Sequence, residues 1–130
     1  MNYTKDFSNW FVLKQSIQDN LKKDVRFKER DVWWTSIGHN IGSEEDGKGK
    51  YYLRPVLIVK KFNNQLFWGL PLSTTKKRGV YYYEVELGGK IGAVLLSQLK
   101  TLDYRRLISK YGMLSSEDFN QITNRIKNLL

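Results

Sequence analysis

Cysteine is absent from the chain, and histidine occurs once, at His39. Without cysteine, the protein has no disulfide framework, no thiolate zinc site and no cysteine nucleophile. A single histidine excludes multi-histidine metal sites, so metal-assisted hydrolysis would depend on carboxylates alone. The sequence has no apolar run of membrane-spanning length and no basic start followed by an apolar stretch. We therefore expect a cytoplasmic protein that works without a cofactor.

Several motifs of well-known enzyme classes are also missing. The chain contains no glycine-rich phosphate loop that ends in Gly-Lys-Ser/Thr, no strand–GxGxxG–helix unit and no GxSxG nucleophile elbow. One acidic run, Glu44-Glu45-Asp46, could bind a hard cation weakly. Three adjacent acids on a loop are more often solvated, and we expect solvated side chains here.

Basic and aromatic residues are abundant in a chain of single-domain size. The 130 residues carry 22 Lys and Arg against 13 Asp and Glu, a net charge of +9, and 14% of them are aromatic. This composition is typical of single-stranded nucleic-acid binders, because bases stack on rings while cations hold the backbone. A basic, soluble surface around an aromatic core is the simpler interpretation, and composition does not choose between the two.

The N-terminal part of the chain predicts a helix followed by a charged linker. Residues 5–22 have an amphipathic pattern, with Thr4 as the expected N-cap and apolar residues at spacings of three and four. The linker over residues 22–30 is rich in charge. We therefore divide the chain into an N-terminal segment, residues 1–30, and a main domain, residues 31–130.

The main domain has the pattern of a small barrel. Its β-branched and aromatic runs predict five short strands, at 31–37, 52–62, 65–72, 80–87 and 91–97. The Gly-rich loop over 38–50 is long enough to favour a functional role. A short helical turn is expected over 101–107, and a C-terminal helix with Ser115 as its cap. Hairpin-linked strands with little room for crossover helices indicate a mainly β fold with flanking helices.

Arg54 enters one predicted strand, and Ser73 and Thr74 leave the next. Hairpin-linked strands can bring such ends together at the rim of a barrel. A guanidinium binds two phosphate oxygens and stabilises a phosphorane-like transition state. RNA supplies its own nucleophile, the 2′-hydroxyl, so an RNA-cleaving site needs mainly positioning and electrostatics. From these residues alone, a surface ion pair for Arg54 and ordinary turn chemistry for the hydroxyls stay open.

Several segments of the main domain are recognisable in sequence and in order. The segment 53–59, LRPVLIV, is the most diagnostic. The others are 31–34 (DVWW) with 41–44 (IGSE), 70–74 (LPLST), 93–103 (AVLLSQLKTLD) and 111–115 (YGMLS). Together these segments resemble the PemK/MazF family of toxin endoribonucleases over about residues 30–130.

The resemblance implies a small SH3-like barrel of the CcdB/PemK type, usually a homodimer. It also implies metal-independent cleavage of single-stranded RNA at short sequences, leaving cyclic phosphate and 5′-hydroxyl ends. A cognate antitoxin protein is expected, with a disordered tail that occupies the RNA groove. Arg54 matches the family's catalytic arginine and Ser73 its catalytic hydroxyl residue, a role that Thr74 could share. The expected substrate-binding residues are Gly42, Ser43, Glu44, Lys76, Lys77, Tyr83 and Gln98.

Four features depart from the family pattern. Leu95 and Ser97 stand where some members have an arginine and an aspartate, so that arrangement of catalytic partners is absent. The loop before Arg54 is several residues longer than usual, and Lys100 stands where an arginine is usual. The N-terminal helix has no counterpart in short members; it could cover the barrel, extend the dimer, imitate an antitoxin or simply pack through Trp10 and Phe11. The alternative functions are a catalytically silent barrel that binds RNA or protein and, with less support, a gyrase-poisoning toxin of the CcdB type.

Overall fold

A computed structural model describes residues 4–20, 25–75 and 77–130 of the chain. Within these residues the chain is mainly β, with a helix near each end. The helices are α1 (Phe7–Asp19) and α2 (Ser116–Asn128), and a short 3-10 helix spans Tyr104–Arg106. The strands in chain order are β1 (Asp31–Ser36), β2 (Leu53–Lys61), β3 (Leu66–Ser73), β4 (Tyr82–Leu87), β5 (Lys90–Leu95), β6 (Lys100–Asp103) and β7 (Leu107–Met113).

The strands form an antiparallel sheet in the order β4-β5-β3-β2-β1-β7, with β6 paired to β3 outside this path. Strand β3 curls the sheet, because its two ends pair with different partners. Residues 66–69 pair with β6, whereas Leu72 and Ser73 pair with Val94 and Ala93 of β5. The other edge of β3 pairs with β2. The curled half-barrel with its two helices confirms the predicted mainly β barrel fold with flanking helices.

Two apolar clusters fill the interior, and β2 contributes to both. Leu57 belongs to the larger cluster and Ile58 to the smaller, and neither residue is exposed. Successive strand residues point to opposite faces, so a strand that is apolar at every position is buried on both sides. The larger cluster includes Ile122 of α2, and the smaller is built around Phe27 and Phe67. This rigid central strand carries Arg54 near its start.

Helix α2 forms as its sequence predicts. The Ser115 hydroxyl accepts a hydrogen bond from the Asp118 backbone N–H, acids occupy the first turn and basic residues the last. Its apolar stripe packs on the larger cluster through Phe119, Ile122 and Ile126. Burying a side chain such as Ile122 contributes about 1.5–3 kcal/mol relative to exposure. None of the described helices is long and apolar enough to cross a membrane.

Helix α1 differs from its prediction at the start and in its packing. Its N-cap is Asp6 rather than Thr4, because the Asp6 carboxylate accepts from the Asn9 backbone N–H at 3.1 Å. The helix ends at Asp19, and the last two residues of the predicted span lie outside the described residues. Trp10 packs on the barrel as expected, but Phe11 does not, since it is 60% exposed.

The prediction for residues 100–113, a helical turn and no strand, is wrong. Strands β6 and β7 occupy these residues, and only Tyr104–Arg106 is helical. Strand β7 is an edge strand that pairs with β1 through two register shifts. Its burial is irregular and it contains Gly112, so it lacks the alternation by which strands are recognised. The barrel therefore has seven strands among the described residues, where five were predicted.

Candidate functional site

Arg54 lies near the start of β2, opposite Thr35 of β1, and its side chain is almost completely buried. Each of its three guanidinium nitrogens has a protein partner. Nε donates to the Asp46 carbonyl at 2.7 Å, and Nη1 donates to the Leu72 carbonyl at 3.2 Å. Nη2 lies 2.8 Å from Oε1 of Glu45. A buried guanidinium needs such partners, because an uncompensated charge is strongly disfavoured in the interior.

Ser73 ends β3 directly after the carbonyl that Arg54 binds, so the structure brings the two predicted catalytic residues together. Ser73 is buried, and its Oγ lies 2.9 Å from Oγ1 of Thr75. The same Oγ accepts a hydrogen bond from the Thr75 backbone N–H at 3.2 Å. This local pattern is a hydroxyl turn. Thr74, between them, is exposed.

The long loop between β1 and β2 closes over Arg54. A cavity of about 590 Å³ lies under it, with walls from Asp6, residues 44–49, Tyr52 and Arg54. Glu45 and Asp46 are only partly exposed and are bonded to Arg54. The expectation that Glu45 and Asp46 are simply solvated is therefore wrong, because the Glu45 carboxylate pairs with buried Arg54 and the Asp46 carboxylate pairs with Lys5 at 3.1 Å.

Two further cations of the barrel are desolvated, and one of them, Lys100, lies near the acids of this loop. Burial lowers the pKa of Lys100 below its ordinary value, although the nearby Glu44 carboxylate acts in the opposite direction. Burial also lowers the pKa of Arg106, whose Nη1 donates to the Ser36 carbonyl at 3.2 Å. Strand β6 holds Lys100 opposite Gly69 of β3. Arg54, Lys100 and Arg106 are thus partly or fully desolvated cations of the barrel.

The structure places the expected substrate-binding residues in three different surroundings. Gly42, Ser43 and Glu44 are exposed in the loop that covers Arg54, and Gln98 reaches this loop because its Oε1 accepts from the Glu45 backbone N–H at 2.6 Å. These residues therefore surround the covered arginine.

Two further expected residues, Lys77 and Tyr83, lie on the β4 side. Lys77 is exposed, with its Nζ 5.8 Å from the centre of the Tyr82 ring. Tyr83 is tied to α2, because its hydroxyl donates to Asp118 at 2.8 Å; burial and this hydrogen bond raise the pKa of Tyr83. Lys76 lies outside the described residues.

Sequence reasoning missed the roles of Glu45, Asp46, Lys100 and Arg106. The signal for the acids was weak, since only their pairing across the fold with Arg54 separates them from solvated loop residues. Lys100 had been noted only as a departure from the family's arginine. Arg106 lies in the helical part of the predicted turn, Tyr104–Arg106, but nothing in the local sequence indicates that its side chain is buried.

A second, smaller cavity opens on the other side of Ser73. Its volume is about 110 Å³, and Ser73 and Thr74 contribute to its wall together with the rings of Trp34 and Tyr111. The ring centres of these two aromatics are 5.3 Å apart. Arg54 and Ser73 thus line two different cavities, the first with mostly charged walls and the second with aromatic and aliphatic walls.

Comparison with solved structures finds the same fold in bacterial toxins. MazF from Deinococcus radiodurans superimposes with a TM-score of 0.68 at 17% identity, over 82% of this chain and 97% of that chain. A mycobacterial endoribonuclease in complex with its cognate antitoxin gives 0.62 at 16% identity, over 79% and 93%. Mycobacterium tuberculosis toxin MazF-mt6 gives 0.58 at 16% identity, over 76% and 94%. At these identities the likeness concerns the fold.

Sequence comparison supplies the family itself. No protein of curated function matches the chain. Residues 28–130 match the family model described as PemK-like, MazF-like toxin of type II toxin-antitoxin system. This range contains the whole half-barrel, Arg54, Ser73 and helix α2. The chain therefore belongs to the PemK-like, MazF-like family of toxins of type II toxin-antitoxin systems.

Proposed function

We propose that the chain is a toxin endoribonuclease that cuts single-stranded RNA at short sequences without a metal ion. The observation that carries the proposal is the position of Arg54, buried at the start of β2 and bonded to the backbone beside Ser73, within the family's fold. In the reaction, the 2′-hydroxyl of the RNA loses its proton to solvent as its oxygen attacks the adjacent phosphorus, and the bond to the 5′-oxygen breaks. The leaving oxygen takes up a proton, giving a cyclic phosphate and a 5′-hydroxyl end.

Arg54 is the proposed catalytic cation. Its Nη2, which pairs with the Glu45 carboxylate in the structure, is suited to bind a non-bridging phosphate oxygen instead. Negative charge builds up on these oxygens as the 2′-oxygen attacks, and a positioned guanidinium stabilises that charge. The two backbone carbonyls that hold Nε and Nη1 fix the orientation of the guanidinium plane.

Ser73 and Thr74 are the proposed hydroxyl partners of the phosphate. Ser73 is buried and held by Thr75, so it suits an orienting role, whereas exposed Thr74 is accessible to the substrate. For RNA binding we propose Gly42, Ser43, Glu44, Lys76, Lys77, Tyr83 and Gln98, and we add Lys100. A cation held half-buried at the cost of its own hydration is typical of a ligand-binding position.

We further propose that residues 31–130 act as the toxin domain, that it forms a homodimer, and that it works in the cytoplasm. Solved relatives include MazE-MazF assemblies from Deinococcus radiodurans and the mycobacterial endoribonuclease with its cognate antitoxin. These assemblies support the proposal that this chain also has a cognate antitoxin. The net charge of +9 supports a polyanionic substrate.

The test is incubation of the purified chain with a long mixed-sequence single-stranded RNA in EDTA, followed by mapping of the fragment ends. We expect discrete cuts at a short recurring sequence. Arg54→Ala is expected to lower the cleavage rate by about 100- to 1,000-fold or more, since it removes the charge at the phosphate. Arg26→Ala, which removes an exposed arginine elsewhere, is the matched control and is expected to cut normally. Wild-type cleavage by Arg54→Ala contradicts the assignment; no cleavage by any form favours a silent binding barrel.

The hydroxyl residues are tested by single and double changes. Ser73→Ala is expected to slow cleavage, with Thr74 partly taking over, and the double change Ser73→Ala with Thr74→Ala to slow it further. An unchanged rate in the double variant removes both hydroxyls from the mechanism. Circular dichroism and unfolding midpoints establish that each variant is folded.

A further inference from the structure

Helix α1 lies outside the residues that match the family, yet it packs against the loop that covers Arg54. Trp10 is its buried residue, and the indole ring is 5.3 Å from the ring of Tyr52, at the end of that loop. The ring also lies directly on Gly38, at the start of the loop. A Cβ added at Gly38 would come within 2.0 Å of the indole, so only glycine allows this contact. Trp10 therefore packs against both ends of the loop.

Lys5, just before α1, binds the middle of the same loop. Its Nζ forms an ion pair with Asp46 at 3.1 Å and donates to the Gly42 carbonyl at 3.2 Å and to the Asn40 carbonyl. The Asp46 carboxylate in turn accepts from the Asn40 backbone N–H at 2.6 Å. The N-terminal segment thus stabilises one conformation of residues 40–46, which we call the acidic loop.

The other side of the acidic loop rests on the proposed catalytic site. The Glu45 carboxylate and the Asp46 carbonyl both bind Arg54, and the Glu45 backbone N–H donates to Gln98. Contacts therefore run without a break from Lys5 through Asp46 and Glu45 to Arg54. With a carboxylate on its Nη2 and only 4% of its surface exposed, Arg54 is closed to a substrate phosphate.

We propose that α1 and Lys5 form an intramolecular clamp that holds the acidic loop on Arg54, so that Glu45 competes with the substrate phosphate. The proposal rests on the proposed endoribonuclease function and adds its regulation. Release of the clamp frees Arg54 and exposes Lys100, a cation of the barrel that lies near Glu44, Glu45 and Asp46. Release is feasible because α1 buries one side chain and is otherwise held by polar contacts and by the half-exposed Phe7 ring against His39, so the closed state is favoured by a limited free energy.

The experiment compares full-length wild type with Lys5→Ala and Glu45→Gln. Lys14→Ala, which removes an exposed lysine from α1 itself, is the matched control. Amide hydrogen exchange of residues 40–47 reports the closed loop, and anisotropy with a labelled, uncleavable 2′-O-methyl RNA pool reports access to the site. Cleavage of ordinary RNA in EDTA reports activity.

We expect both variants to exchange the loop amides at least several-fold faster, to bind the 2′-O-methyl RNA more tightly and to raise kcat/KM for cleavage several-fold, with Lys14→Ala unchanged. Unchanged exchange in Lys5→Ala overturns the clamp. Faster exchange without tighter RNA binding overturns its inhibitory role. A fall in cleavage by Glu45→Gln overturns it too, because Glu45 then assists the reaction.

Failure of the proposed function gives a different pattern. If wild type and every variant bind RNA but none cleaves it, exchange and binding still decide the clamp, and only the endoribonuclease function is lost. If no form binds RNA, both proposals are overturned. Trp10→Ala serves as a second release variant, since it removes the apolar half of the clamp and leaves all charges in place.

Discussion

The two helices have the same length, 13 residues each, but are attached to the barrel in different ways. Helix α2 buries Ile122 completely and packs Phe119 and Ile126 against the larger apolar cluster. Helix α1 buries Trp10, and Lys5 in front of it binds the acidic loop. Several apolar contacts bind an element into the cooperative folding unit, whereas one ring and a few polar contacts allow local release. The comparison indicates that α2 serves the fold and α1 serves the site.

The largest effect is expected on the α2 side. Ile122→Ala removes a fully buried side chain and leaves a cavity, so we expect a loss of about 2–5 kcal/mol in the free energy of unfolding. Urea denaturation followed by far-UV circular dichroism measures it. Ile108→Ala is the matched control, since Ile108 is 47% exposed on the edge strand β7 and its loss is expected to cost far less. Equal effects of the two changes would break the distinction.

Trp10→Ala is the corresponding change on the α1 side. The loss of stability is expected to be confined to α1. The α1 amides should exchange much faster, and the urea midpoint of the barrel should shift less than in Ile122→Ala. The reason is that the docking of α1, not the core of the barrel, loses its apolar contact. Phe11→Ala, at an exposed neighbouring ring, is the control for losing an aromatic residue. A cooperative loss as large as that of Ile122→Ala would show that α1 belongs to the folding unit.

The helix caps give a smaller and finer comparison. Ser115→Ala removes the side chain that accepts from the Asp118 N–H, with an expected cost of about 1 kcal/mol in global unfolding. Asp6→Ala removes the equivalent cap of α1, but its effect is expected in α1 exchange alone. Global unfolding and residue-level exchange, measured together, separate the two outcomes. A similar loss of global stability from both caps would contradict the division between the helices.

The sequence was most informative where burial follows a regular period. Strand β2, buried without a break over residues 54–58, and α2, with its capped apolar stripe, were both predicted at close to their final bounds. Strand β7 was not, because an edge strand with irregular burial and two register shifts carries no clear period. Phe11 was misplaced for a related reason. Apolar spacing shows that a helix has an apolar face, but it does not show how much of that face finds a partner.

The candidate site divides in the same way. Arg54 and Ser73 were predicted to lie close together, because Arg54 lies at the start of β2, Ser73 lies at the end of β3, and the two strands are antiparallel neighbours. The carboxylate on Arg54 was not predicted, because the Glu45–Arg54 pair depends on how a long loop folds back, and short-range sequence patterns do not encode this. The Lys5–Asp46 contact spans an even larger separation along the chain. Contacts between residues so far apart in sequence depend on the folded structure and cannot be predicted from local sequence patterns.

The smallest expected effect concerns Lys100, on the site side of the comparison. Burial lowers its pKa from the ordinary value of 10.5, so the folded state disfavours the charged lysine relative to the unfolded chain. The cost is present at neutral pH and fades as pH rises from the lowered folded value towards the unfolded one. Lys100→Met, of similar length and without charge, is therefore expected to raise the unfolding midpoint slightly at neutral pH, with the gain shrinking towards about pH 10.

The same change is expected to weaken binding of the 2′-O-methyl RNA, since it removes a proposed phosphate contact. A gain in stability paired with a loss of binding is the pattern of a residue retained for function rather than for the fold. Lys110→Met is the matched control, with an expected effect in the opposite direction. Lys110 pairs with buried Asp31 at 3.2 Å. Its loss leaves a buried carboxylate without its counter-charge and is therefore expected to destabilise the protein. If Lys100→Met destabilises the protein as Lys110→Met does, then Lys100 is a structural partner of the acidic loop. Lys100 and Arg54 would then stabilise the closed form of the loop rather than serve substrate binding.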